Sequence, residues 1–320
     1  VKTRKVVDST YMNVTVPSIR KPPYEIADEA TCVAVNELPK RAHDFERYVV
    51  VGAGKTGMDA CLFLLKNGVD PDAVSWIMPR DSWMLDRALI QPRLASDKAP
   101  PVGLAQIIEA VAESKDVEDL FDRLAAAGQL LRFDDEVRPT MYRCATVTQA
   151  ELEQLRRVGN VIRMGHVEKI GANEITLEEG KIPTSTKTLH IDCTADGLAT
   201  RPVVPVFAGE QITLQTVRTC QQVFSAAFIA HIEAAYDDEE RKNQLCAVVA
   251  HPDDDLDFLR TTFENGLNAA QWAADPELTK WLESSRLDGF RNFLSPESSG
   301  DPEIEAERKR IEALTPTALA

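Results

Sequence analysis

No stretch of this sequence is apolar for long enough to span a bilayer, and its N-terminus carries no secretory signal. Basic clusters are missing as well: 36 Lys and Arg face 51 Asp and Glu in 320 residues, a net charge of −15. That balance argues against nucleic acid and against an anionic membrane as partner. The six cysteines (Cys32, Cys61, Cys144, Cys193, Cys220 and Cys246) contain no C-x-x-C pair. Reduced thiols are therefore expected, and neither a dithiol redox centre nor a structural zinc site is indicated. The five histidines (His43, His166, His190, His231 and His251) lack metal-ligand spacing, so no metal is expected. What remains is a cytoplasmic protein with a small-molecule substrate of unknown identity, with homo-oligomerisation left open.

The composition that is present, 44% apolar and 27% charged, is ordinary for a globular protein, and the length suggests two domains. The chain opens "VKTRKVVDST", without Met and already close to a strand-like run, so upstream sequence is expected.

The most informative stretch is "RYVVVGAGKTGMDACLFLLKNG", residues 47–68. Gly54-Lys55-Thr56 has the closing letters of a nucleoside-triphosphate phosphate loop. That motif needs a glycine five positions before Gly54, where Val49 stands. The dinucleotide fingerprint fits instead. Tyr48–Val51 reads as a buried parallel strand. Gly52 permits the tight turn, Gly54 a close approach to a pyrophosphate, and Gly57 close helix packing. Met58, Cys61, Leu62, Leu64 and Leu65 follow at helical spacing, Gly68 is a stop signal, and Val74, Trp76 and Ile77 form a second strand. The bland reading is a glycine turn without a ligand.

The end of the second strand selects the nucleotide. An acidic residue there, roughly 20 positions after the glycines, holds the ribose 2′-OH of NAD. Here the first charged residue is Arg80, whose guanidinium suits a 2′-phosphate, so NADP(H) is favoured. Asp81 beside it keeps open a solvated Arg80–Asp81 pair. Lys55 and Thr56 are placed near the pyrophosphate, although an exposed Lys in a first helical turn is as good a reading.

Two hydrophobic-Asp-x-Thr stretches, Asp8-x-Thr10 and Asp192-x-Thr194, flank this unit. Read sharply, they belong to one enclosing domain that the chain leaves near Pro17 and re-enters near Asp192. Read blandly, they are unrelated strand ends. Between lie an insertion of one or two helices (104–128), a capping box at Thr148 and Glu151, and a β-meander turning at Ala172-Asn173. Stretch 139–147 reads as a strand re-entering the core or a substrate loop, with the core favoured. Residues 215–236 read as a helix of several turns, and 300–320 as an exposed helix with a frayed end.

This layout resembles the two-dinucleotide-binding-domain flavoproteins, and "YVVVGAGKTGMDACLFLLKNGVDPDAVSWIMPRDSW" is most similar to their flavin-containing monooxygenase-like branch. The NADPH fingerprint of that branch has the form GxGxSGxD; Thr56 replaces its Ser and Asp59 matches its acidic residue. The resemblance implies an α/β fold: a Rossmann-like NAD(P)-binding domain (45–188, with a helical insertion at about 91–160) inserted in the remainder of an FAD-type three-layer α/β domain (1–44 and 189–320), with a helical C-terminal tail. It implies hydride transfer from NADPH to flavin, with Asp192, Gly197 and the start of the 215–236 helix close to FAD. The FAD fingerprint that such proteins carry near their N-terminus is absent from this chain, so FAD binding needs sequence outside it. Arg87 and Gln91 are candidates for the nicotinamide side, with a solvated helix face as the alternative, and His231 reads as a packed or surface residue. The competing function is a non-enzymatic NADP-binding module or partner subunit without an FAD half.

Overall fold

In the short segment Arg47–Val51, β-branched residues alternate their side chains between two faces, and both faces are covered. This strand is the centre of a five-stranded, wholly parallel sheet in the order Thr31–Ala34, Thr188–Asp192, Arg47–Val51, Val74–Ile77, Asn160–Ile162. The computed structural model describes residues 4–90, 102–195, 197, 199, 201–288 and helical positions 302, 306, 309–311, 313 and 314. Within them the protein is mixed α/β, with several sheets.

Three layers result. On one face Tyr48, Val50, Val74 and Trp76 pack against Met58, Cys61 and Leu64 of the Lys55–Lys66 helix, and against Leu152 and Leu155 of the Gln149–Leu155 helix. On the other face Val49, Val51, Ile77 and Ile162 meet Val167, Ile170, Ile175 and Leu177. Those belong to an antiparallel meander, Val167–Ile170, Glu174–Leu177 and Gly180–Pro183, which turns at 171–173 as the sequence suggests. The Lys55–Lys66 helix stops at Asn67-Gly68, where Gly68 takes φ +83° and its N–H bonds the Leu65 carbonyl. The Thr148/Glu151 capping box is formed on both sides.

The insertion is not purely helical. After Val102–Glu113 and Val117–Ala126 comes Leu130–Leu131. It joins Ser82–Asp86 and Met141–Val147 in a second sheet, closed by Trp83, Phe121, Leu124, Tyr142 and Phe258. Met141–Val147 is thus the core strand favoured for 139–147, with Met141, Tyr142, Ala145 and Val147 buried.

The enclosing elements meet as a further small sheet. Val6–Asp8 pairs in parallel with Gln211–Thr213, which pairs with Phe207–Ala208. The helices Gln222–Ala235, Glu239–Leu245, Leu256–Ala273 and Pro276–Ser284 pack around Phe228 and Trp272. Two boundaries move relative to expectation. Thr31–Ala34 and Thr188–Asp192 are hydrogen-bonded into the sheet of the glycine loop, so that unit does not span 45–188 alone. The expected 215–236 helix begins only at Gln222, because the preceding backbone is committed elsewhere: the Val217 N–H donates to Ser225 Oγ, and the Thr219 N–H to Asn265 Oδ1.

The expectation of six reduced thiols is corrected. Cys144 and Cys220, 76 positions apart, form a disulfide with their Cα atoms 6.6 Å apart. The bond ties the insertion strand to the loop ahead of the Gln222–Ala235 helix. Spacing along the chain carries no trace of a pairing made by tertiary packing. Among the described residues no helix is long and apolar enough to cross a membrane.

Candidate functional site

The strands that follow Arg47–Val51 step outward in one direction, to Val74–Ile77 and then Asn160–Ile162. Thr188–Asp192 returns to its other side. Strand order therefore reverses between Arg47–Val51 and Thr188–Asp192, and open α/β sheets bind ligands outside the carboxyl ends at such a point. Gly52 and Cys193 occupy those ends.

Each glycine of the loop has a separate physical reason. Gly52 has φ +122°, and a Cβ there would lie 2.7 Å from the Cys193 carbonyl oxygen. Gly57 sits in the first turn of the helix, where a Cβ would fall 2.1 Å from the Gly52 oxygen. That oxygen is fixed from the other side by the Trp76 indole N–H at 2.9 Å. Gly54 is different. It is the helix N-cap, with ordinary extended backbone, and nothing lies within 4 Å of its added Cβ. With no side-chain cap at that position, the first-turn N–H groups have no intrahelical acceptor. The loop is closed at Gly52 and Gly57, where it touches protein, and open at Gly54.

Lys55 is partly buried and pairs with Asp59 one turn along the same helix. Thr56 is partly buried in the first turn. Asp192 is 1% exposed. Its Oδ1 accepts from the Thr194 N–H at 3.0 Å and from the Thr194 hydroxyl. The Asp8–Thr10 pair makes the same turn, with its N–H bond at 2.8 Å, so the two matching sequence stretches share a conformation although they end strands of different sheets. Asp192 Oδ2 is buried without a hydrogen bond. The Arg20 guanidinium stands 3.6 Å away while donating to Thr194 Oγ1 at 2.9 Å. Gly197, three residues beyond Thr194, has nothing within 4 Å of an added Cβ. The fingerprint and Asp192 are therefore brought together at one mouth.

Arg80 lies three residues past Val74–Ile77, on the same side of the sheet as Gly52. It is not paired with Asp81. It donates to the Thr140 carbonyl at 2.8 Å and contacts Asp253 Oδ2 at 3.3 Å, while Asp81 is held by Arg163 at 2.7 Å. Arg87 is engaged by Glu151 and Thr146, so it braces the insertion against the Gln149–Leu155 helix. Gln91 lies outside the described residues. His231 stacks on Trp281 at 4.2 Å between ring centroids, the packed reading.

Sequence reasoning missed Trp76 as a lock on the loop, Arg20 as the partner of the Asp192 turn, and Asp253. Trp76 was recognisable as a strand residue, and only its indole reach adds the lock. Arg20 and Asp253 meet their partners across 174 and 173 positions, a separation no local pattern encodes. Cys193 is a buried thiol beside the loop, and Cys32, on the Thr31–Ala34 strand, is partly buried. Burial pushes Cys193 well up, and pushes Cys32 up to about 11, so neither is a thiolate at neutral pH. Among the described residues no group of His, Cys, Asp and Glu has the makings of a metal site.

No family model matches the chain. Uncharacterized proteins of Mycobacterium bovis and Mycobacterium tuberculosis are each 52% identical to it over 293 residues, covering 92% of this chain and 54% of theirs. The chain spans about half the length of the curated relatives it matches.

Proposed function

We propose that this chain carries the NADP(H)-binding part of a flavin-dependent oxidoreductase of the monooxygenase-like type. The observation that supports this most is the glycine loop at the strand-order reversal: Gly52 and Gly57 are required by contact, whereas Gly54 is required by nothing in the protein and faces open space. A glycine with no internal reason is the one expected to make room for a ligand.

The residues present fit the nucleotide. The first-turn N–H groups of the Lys55–Lys66 helix and its dipole suit a pyrophosphate. The unbonded Asp192 Oδ2 is an acceptor and suits a hydroxyl rather than a phosphate. Arg80 is the cation for a 2′-phosphate. Bound NADPH supplies the hydride, and the chain's task is to hold and orient it. For FAD the fit on this chain alone fails, since no second fingerprint is present. Val6 and Val7, 60% and 54% exposed on an edge strand, are the surface we assign to contact with a flavin-binding unit.

The test is a visible absorption spectrum of the full-length protein after incubation with FAD and removal of free ligand, followed by anaerobic addition of NADPH. A retained flavin band that NADPH bleaches is the expected result. A colourless protein that still binds NADPH favours the second reading, a nucleotide-binding module without redox chemistry.

A further inference from the structure

Asp253 is held by two guanidinium groups at once. Arg143 donates through Nε to its Oδ1 at 2.8 Å, and Arg80 lies 3.3 Å from its Oδ2. The arginines come from different elements: Arg80 follows the second strand of the parallel sheet, and Arg143 lies in Met141–Val147 of the insertion. Asp253 comes from a third place, the segment leading into the Leu256–Ala273 helix. That segment is laid along the insertion strand, with the Tyr142 N–H donating to the Asp253 carbonyl at 3.0 Å.

Three features mark this cluster as more than a surface ion pair. One of its arginines stands where a dinucleotide fold places the cation for a 2′-phosphate. Two planar forks converging on one anion match the needs of a phosphate monoester, which carries more charge and one more oxygen than a carboxylate. The side chains of Arg80, Arg143 and Asp253 are 37%, 29% and 39% exposed, so an anion from solvent can reach them, and opening a half-exposed pair costs little.

We propose that Arg80 and Arg143 together form the 2′-phosphate subsite for NADP(H), and that Asp253 is its internal occupant, displaced when the coenzyme binds. This rests on the reading of Gly52–Gly57 as a pyridine-nucleotide loop. The Asp253 carboxylate competes with the 2′-phosphate for the same donors and leaves NADH, which has no such group, unaffected. The Asp253 backbone is held separately, its N–H donating to Asp257 Oδ2 at 2.8 Å, so the carboxylate can swing away while the segment stays in place.

The experiment is isothermal titration of the full-length protein, wild type and variants, with NADPH, NADH, 2′,5′-ADP and 5′-ADP. In D253N the amide keeps the shape and loses the charge. NADPH and 2′,5′-ADP are expected to tighten about tenfold, with NADH and 5′-ADP nearly unchanged. R143K keeps a charge and loses the fork, and is expected to weaken the two 2′-phosphate ligands alone. If wild type binds NADPH but D253N leaves the NADPH to NADH ratio unchanged, or weakens both equally, Asp253 is not the occupant while the nucleotide loop stands. If R143K does not alter that ratio, the two-arginine subsite is wrong. If no protein binds any of the four ligands, the nucleotide reading falls and this proposal with it.

Discussion

The indole N–H of Trp76 donates to the carbonyl of Gly52 at 2.9 Å, tying the second strand of the sheet to the turn that ends the first. Both groups are buried, so losing the donor leaves the Gly52 oxygen unpaired in the core. Trp76→Phe is expected to cost about 2 kcal/mol of stability and to loosen the loop. Urea denaturation checks the first effect, and an NADPH titration under native conditions the second.

Gly57 and Gly54 should separate folding from binding. Gly57→Ala places a methyl group against the Gly52 oxygen, and the expected loss is about 2 kcal/mol or more. Gly54→Ala meets open space and has ordinary backbone angles, so its denaturation midpoint should match wild type. Equal destabilisation of the two variants would show that Gly54 also has a structural role.

The Cys144–Cys220 cross-link predicts a thiol count. Denatured without reductant, the protein should expose the four thiols of Cys32, Cys61, Cys193 and Cys246 to alkylation. With reductant it should expose all six. A closed loop of this length contributes about 4 kcal/mol on chain-entropy grounds, so Cys144→Ser should lower the urea midpoint while retaining the secondary structure.

Acidification should destabilise the protein in part through its two fully buried histidines, His190 and His251. Burial holds His190 and His251 below the ordinary value of 6.5 in the folded chain. The unfolded chain therefore takes up the protons first. Stability is full above that value and falls below it, by up to about 1.4 kcal/mol per pH unit for each histidine. His190 is hydrogen-bonded to Thr184 and Thr31, whereas both ring nitrogens of His251 lack a partner. His251→Leu should flatten the decline by one proton's slope without loss at neutral pH. Denaturation midpoints measured from pH 7 downward decide it.

Local pattern made the glycine-loop unit legible. The apolar run at Tyr48–Val51, the helical spacing from Met58 to Leu65 and the Thr148–Glu151 box depend only on near neighbours, and each appears where it was placed. The insertion was misjudged because Leu130–Leu131 and Ser82–Asp86 are too short to show a strand period on their own. The 215–221 segment has helical spacing but is overridden by the Cys220 disulfide and by Asn265. At the site, Gly52 and Gly57 were visible because backbone geometry dictates their residue type, and Gly54 and Asp192 because each stands in a short, regularly spaced motif. Arg20, Arg143 and Asp253 were not, since an arginine or aspartate carries no mark of a partner more than 100 residues away.

The most direct test is a fluorescence titration of the full-length protein with NADPH, wild type against Gly54→Asp. The side chain introduced there has room in the fold but carries negative charge into the space we assign to the pyrophosphate. Saturable binding by wild type and none by an equally stable Gly54→Asp variant is the result predicted. Equal binding by both, or none by wild type, would contradict the assignment of this loop to a nucleotide.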